Sequence, residues 1–110
     1  MDIQKTWSQV VGVVLMLSGL AGFAMGDMLL LFGVNTLHNV VHLLTGAVYA
    51  WAGFSSNAPT RKVNIGLGAV YVLVCVLGFL GMLDFLNINM ADNFLHLALG
   101  LVSIGVGMWA

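Results

Sequence analysis

Four stretches of mostly apolar residues divide this chain, each close to the ~20 residues that a helix needs to cross a bilayer. They run from about 7 to 26, 35 to 54, 63 to 83 and 92 to 110. No stretch alternates apolar and polar residues as a membrane barrel strand does. Helices satisfy every backbone group internally, as a hydrocarbon core demands. The sequence therefore predicts an all-α integral membrane protein with four transmembrane helices. Its 110 residues form a single domain, 1–110, made of one helical hairpin over about 7–54 and a second over about 63–110.

Composition agrees. Of the residues, 61% are hydrophobic and 6% charged, whereas a soluble domain has about 25% charged residues. So small a domain cannot bury this much apolar sequence, and lipid is the expected partner. A net charge of -1 argues against nucleic acid, which selects a basic face. Cys75, the single cysteine, makes neither an internal disulfide nor a zinc site and reads as a small hydrophobe.

The connections are short. "SSNAPTRK" (55–62) is polar and holds the one proline, so it must leave the membrane. "DMLLLFGV" (27–34) is expected to lie in the interface, or to prolong the first helix before a turn at Gly33. "LDFLNIN" (83–89) resembles it. Lys5, Arg61 and Lys62 lie at the N-terminus or in the 55–62 connection, whereas Asp27, Asp84 and Asp92 lie in the other two. Basic residues stay inside, so both termini are expected on the cytoplasmic side, or the stromal side of a photosynthetic membrane. The first stretch shares a lysine, an apolar core and small residues with signal peptides, but is read as a retained span. A bacterial inner membrane or a thylakoid membrane is the expected location of this multi-pass chain.

Two segments repeat. "NVVHLLTG" (39–46) and "NFLHLALG" (93–100) both read N-x-x-H-x-x-x-G, 54 residues apart. The same offset lays Gly12 on Gly66. The chain thus reads as two tandem hairpins, a parallel repeat about an axis along the membrane normal. His42 and His96 are expected at similar depths, one to two turns inside the outer face.

With "NTLHNVVHLLTG" and "ADNFLHLALG" the chain resembles a family of small bacterial four-helix membrane proteins classed as a domain of unknown function. In that family the second and fourth helices open with an asparagine or aspartate, followed by a histidine and then a glycine. The resemblance covers the whole chain and implies the four-helix topology. It brings no established activity.

Residues four apart share a helix face. His38, His42, Gly46, Ala50 and Gly53 form one stripe, and Asp92, His96, Gly100, Ser103 and Gly107 another. Small residues along a membrane helix let helices pack closely, which accounts for most of the 14 glycines. An ionisable group inside a span is a functional candidate, although a neutral histidine can also serve as interhelical glue. A neutral imidazole can ligate the magnesium of a chlorophyll or the iron of a haem. His42 and His96 are the candidate ligands, with Gly46 and Gly100 making room for a flat macrocycle. A haem b would be clamped between the two histidines, whereas chlorophyll-type pigments would sit one on each, facing outward. A metal ion is the third possibility, with His38 and Asp92 joining His42 and His96. Asp92 equally serves as a helix cap, as Asn35 does for the second helix.

No catalytic constellation is present, and the chain is expected not to be an enzyme. The leading expectation is a small accessory subunit of a larger membrane complex, photosystem-like, carrying a chlorophyll-type pigment and meeting other membrane subunits through glycine-rich faces. The alternative is a stand-alone haem- or metal-binding membrane protein using His42 and His96. No bound cofactor at all is the remaining case.

Overall fold

The computed structural model describes residues 2–30 and 32–110. Four helices dominate: α1 (Ile3–Met25), α2 (Thr36–Phe54), α3 (Thr60–Phe79) and α4 (Met90–Trp109). The longest dimension of the molecule is 37 Å, matching a bundle of helices that stand side by side and can cross a ~30 Å hydrocarbon layer. By length and composition, α1, α3 and α4 suffice to cross a membrane. In α2 the polar residues His38, Asn39, His42 and Thr45 interrupt the apolar run.

Local chemistry sets the ends. Asp2 caps α1 by accepting a hydrogen bond from Lys5 N at 3.2 Å. Asn35 caps α2, its Oδ1 accepting from His38 N at 2.8 Å, as the sequence suggests. The cap of α4 is Asn89, which accepts from Asp92 N at 2.9 Å. Asp92 stands three residues further on and returns the bond to Asn89 N, closing a capping box. So Asp92 does take part in capping, from the third helical position, and the cap itself lies three residues earlier, at Asn89.

The 27–34 connection does not prolong α1. Gly26 (φ 80°) ends the helix, and a two-residue hairpin follows, β1 (Met28–Leu29) pairing antiparallel with β2 (Phe32–Gly33). Leu31, within that segment, lies outside the described residues. The 83–89 connection holds one 3₁₀ turn, Asp84–Leu86, then Asn87 in the left-handed region (φ 55°). Asn87 Nδ2 donates to Asp27 O and Val34 O, both at 2.8 Å, and so ties the two connections together.

α1 packs antiparallel on α2, and α3 on α4. Glycine permits both crossings. A Cβ on Gly12 would lie 2.8 Å from Ala50 Cα and 2.9 Å from Gly46 O. A Cβ on Gly68 would lie 2.8 Å from Gly100 O and 2.9 Å from Ile104 N. Sequence spacing laid Gly12 on Gly66, but Gly66 faces open space and Gly68 takes the crossing. The glycine at the α3–α4 crossing thus lies two residues from the position that the histidine segments suggest. The reason is that the crossing is set by which glycine meets the partner backbone, and two apolar helices give no other marker of register.

The interior is more polar than the exterior. Ser8, His38, Asn39, Asn64, Asp92, His96 and Ser103 are buried, whereas Leu17, Leu20, Leu44, Leu73, Leu101 and Trp109 are exposed. Water would invert this arrangement, and a lipid surround explains it.

Candidate functional site

Two buried polar clusters occupy the centre of the bundle. The first lies toward the end that carries the termini. Gln4, Ser8, Tyr49, Asn64 and Ser103 form a connected network there. Ser8 Oγ donates to Asn64 Oδ1 at 2.9 Å, and Asn64 Nδ2 donates to Gln4 Oε1 at 2.9 Å. Ser103 Oγ donates to Asn64 O at 2.8 Å, so the 2.7 Å bond between Tyr49 and Ser103 has the tyrosine as donor. At that end Lys5 Nζ donates to Ala52 O at 3.0 Å and to Ser55 O, while Arg61 donates to Gly107 O and, at 3.1 Å, to Ala110 O. Each cation thus sits on the C-terminus of a neighbouring helix, where the backbone dipoles favour positive charge.

The second cluster contains all three histidines. His38 and His42 are one turn apart on α2, and α4 brings His96 against them. Ring centroids are 4.4 Å apart for His38–His42, 5.8 Å for His38–His96 and 6.3 Å for His42–His96. The three are 2%, 7% and 2% exposed. One ring nitrogen of each can be chosen so that all lie within 4.8 Å of one another.

Hydrogen bonding fixes one tautomer. His38 Nδ1 lies 3.0 Å from Leu86 O, and a carbonyl only accepts, so Nδ1 carries the proton. The lone pair of His38 then resides on Nε2, which is buried and has no hydrogen-bond partner among the described residues. His42 Nδ1 and His96 Nδ1 are likewise buried without one. Each such atom costs about 1–3 kcal/mol unless something satisfies it. A ring N–H donated to a protein carbonyl, as His38 donates to Leu86 O, is the arrangement that orients metal-binding histidines.

Four divalent-metal bonds of ~2.0–2.1 Å arranged tetrahedrally hold nitrogens ~3.4 Å apart, so the imidazoles need swing inward by only on the order of 1 Å to close on an ion. Beside them is a cavity of about 40 Å³, lined also by Thr45, Tyr71 and Leu86. That is room for one ion with a water, since a single water fills ~30 Å³.

The candidate residues from the sequence separate here. His42 and His96 face each other inside the bundle, and His38, the weaker candidate, joins them. Asp92 is outside the cluster of potential ligand atoms. Its Oδ2 accepts from Asn89 N and Gly33 N, both at 2.9 Å, so its carboxylate is engaged in holding the two connections. Gly46 and Gly100 do not make room for a macrocycle. A Cβ on Gly46 would meet Gly12 O and Met16, and one on Gly100 would meet Gly68 O and Val72, so neighbouring helices already fill that space.

The asparagines of the two motifs have a role the sequence left open. Asn39 Oδ1 faces the Cα of Gly22 along the direction a Cβ would take, and Asn93 Oδ1 faces Gly78 in the same way. Both oxygens lack a conventional partner. A Cα–H···O contact at each is the compensation that the glycines allow. Gln4, Ser8 and Asn64 also went unnoticed in the sequence, where isolated polar residues near helix starts look like interface anchors.

Residues 5–109 match the family described as Domain of unknown function (DUF4383), and the chain belongs to it. No curated protein and no solved structure matches the chain.

Proposed function

We propose that this member of the family is a four-span membrane protein that binds one transition-metal ion through His38, His42 and His96. The observation that carries the reading is the convergence of three buried imidazoles whose ring nitrogens come within 4.8 Å, one of them with its lone pair fixed on an unpartnered Nε2. Imidazole ligands suit zinc, copper, iron and nickel. Three protein ligands leave a fourth position for water or another small molecule.

Haem b and chlorophyll-type pigments draw less support. A haem would have to lie between His42 and His96, where the space is divided into a cavity of about 40 Å³ on one side and a groove of about 280 Å³ on the other, and where the helices pack on glycine. A pigment on the bundle surface needs an outward histidine, and all three are buried. Nothing in the lipid-facing surface favours a photosystem-like complex over lipid itself.

Both halves of the chain contribute in the same way, which supports tandem hairpins about a pseudo-twofold axis. Residues 54 apart in α2 and α4 meet each other (His42 with His96, Tyr49 with Ser103), and so do Ser8 and Asn64, 56 apart in α1 and α3. Residues related by a twofold axis touch only on that axis. Lys5 and Arg61, also 56 apart, each sit on the end of a partner helix. Termini and basic residues share one end of the bundle, and by the positive-inside rule that end is cytoplasmic, in a bacterial inner membrane.

The test is metal analysis of protein purified in detergent. One Zn²⁺ or Co²⁺ per chain is expected, falling to near zero in His42→Ala and His96→Ala with helicity retained. A folded protein that takes up no metal refutes the reading. A Soret band would restore the haem, and a red pigment band the chlorophyll.

A further inference from the structure

The histidine cluster is flanked by two clefts between the hairpins, and they differ. One lies between α2 and α3. It is the 40 Å³ cavity, where Tyr71 OH and Thr45 Oγ1 are 2.6 Å apart and bridge the two helices. The other lies between α1 and α4. It is a groove of about 280 Å³ that has His42 and His96 among its lining residues. In the relation inferred above, Leu15 stands where Tyr71 stands, and Leu99 where Thr45 stands. Neither leucine can make the bridging hydrogen bond, so the α1–α4 side lacks that closure. Val10, Val14 and Leu95 at the groove's rim are 55%, 54% and 43% exposed, facing the lipid.

Building on the metal reading, we propose that the α1–α4 groove is a lateral route by which a small, neutral, lipid-soluble molecule carrying a nitrogen or oxygen donor reaches the open position of the ion. Size and chemistry set that class. A cavity of ~150 Å³ accepts benzene, so a single ring fits here. The lining is almost wholly apolar, so an anion would have to shed its hydration along the groove without compensation until it reached the ion. His42 and His96, which line the groove, are the members of the histidine cluster that the apolar route leads toward.

Pyridine, neutral and ring-sized, is the probe, and azide is the charged comparison. Protein loaded with Co²⁺ in lipid nanodiscs is titrated with each, following the ligand-field absorption bands of the cobalt and the rate at which they shift. Val14→Trp fills the groove rim, and Val70→Trp makes the corresponding change beside the α2–α3 cavity. Both valines are lipid-facing, 54% and 45% exposed, so both variants retain a foldable core. Saturable pyridine shifts are expected in the parent, with azide entering at least about tenfold more slowly, because the ion's charge favours the bound anion but not its passage along an apolar lining. Val14→Trp weakens pyridine by about tenfold or more, the scale of overpacking, and Val70→Trp by less than about twofold. Equal effects of the two substitutions, or azide matching pyridine in rate of entry, overturn the route. Bound Co²⁺ that ignores pyridine overturns the route while leaving the metal reading intact. Failure to bind Co²⁺ overturns both.

Discussion

Alanine at Gly66 and at Gly68 should have opposite effects, although the residues are neighbours on one helix. At Gly68 the new Cβ would lie 2.8 Å from Gly100 O and Ile104 Cγ1 and 2.9 Å from Ile104 N. Ordinary contact needs ~3.5 Å or more, so α3 and α4 must part by over half an ångström. Two of the three obstructing atoms are backbone and cannot rotate aside. Overpacking of this kind costs about 1–3 kcal/mol. Replacing a helical glycine by alanine returns ~0.8–1.0 kcal/mol. The net expectation for Gly68→Ala is a loss of about 1–2 kcal/mol, taking the upper part of the overpacking range. Gly66 meets nothing within 4 Å, so Gly66→Ala keeps the propensity gain and is stabilising by up to ~1 kcal/mol. Reversible unfolding in mixed micelles, titrated with SDS and followed by circular dichroism, measures the gap, expected at about 2–3 kcal/mol. Gly12→Ala should behave as Gly68→Ala does, since its Cβ would strike the Ala50 backbone. Equal stability of the two α3 variants, or Gly66→Ala being the worse, would refute the packing register and the 56-residue relation of α1 to α3.

Lys5→Ala and Arg61→Ala each remove a cation from the C-terminus of a partner helix. Each should destabilise by about 0.3–1 kcal/mol in the same micelle titration, whereas exposed Lys62→Ala should stay within about 0.5 kcal/mol of the parent. For topology, a cysteine at Ser56 in a Cys75→Ala background should react with an impermeant maleimide only from the cytoplasmic side of vesicles. Labelling from the opposite side alone would invert the bundle.

Much of the helical layout was legible because lipid imposes a simple demand. A run of about twenty apolar residues has few alternatives to a helix, and all four helices appear close to their expected places. The α4 stripe was legible too, since positions 92, 96, 100, 103 and 107 are all buried. What the sequence could not express was which partner fills the space beside a small residue. Gly46 and Gly100 look the same whether they face a macrocycle or another helix, and only the opposing backbone of Gly12 and Gly68 decides between these. The register of α3 escaped for the same reason. The 27–34 hairpin escaped because its turn uses Leu30 at φ 56°, a conformation a leucine rarely adopts and for which no sequence signal exists.

The difference between positions 38 and 92 explains why a symmetric pattern would yield a single site. Both residues follow a capping asparagine by three, and both reach across to the connection of the other hairpin. His38 Nδ1 donates to Leu86 O, and Asp92 Oδ2 accepts from Gly33 N. Structurally the two tasks are reciprocal, one made by a donor and the other by an acceptor. Chemically they leave different remainders. After its bond to Leu86, the imidazole retains a lone pair on Nε2, buried and without a hydrogen-bond partner among the described residues. After its bonds to Gly33 and Asn89, the carboxylate is spent on two backbone donors. A histidine at position 92 would lose both of the backbone donors that the Asp92 carboxylate accepts from. An aspartate at both would leave only the His42–His96 pair. One of each gives three imidazoles whose ring nitrogens come within 4.8 Å, and two connections held in place.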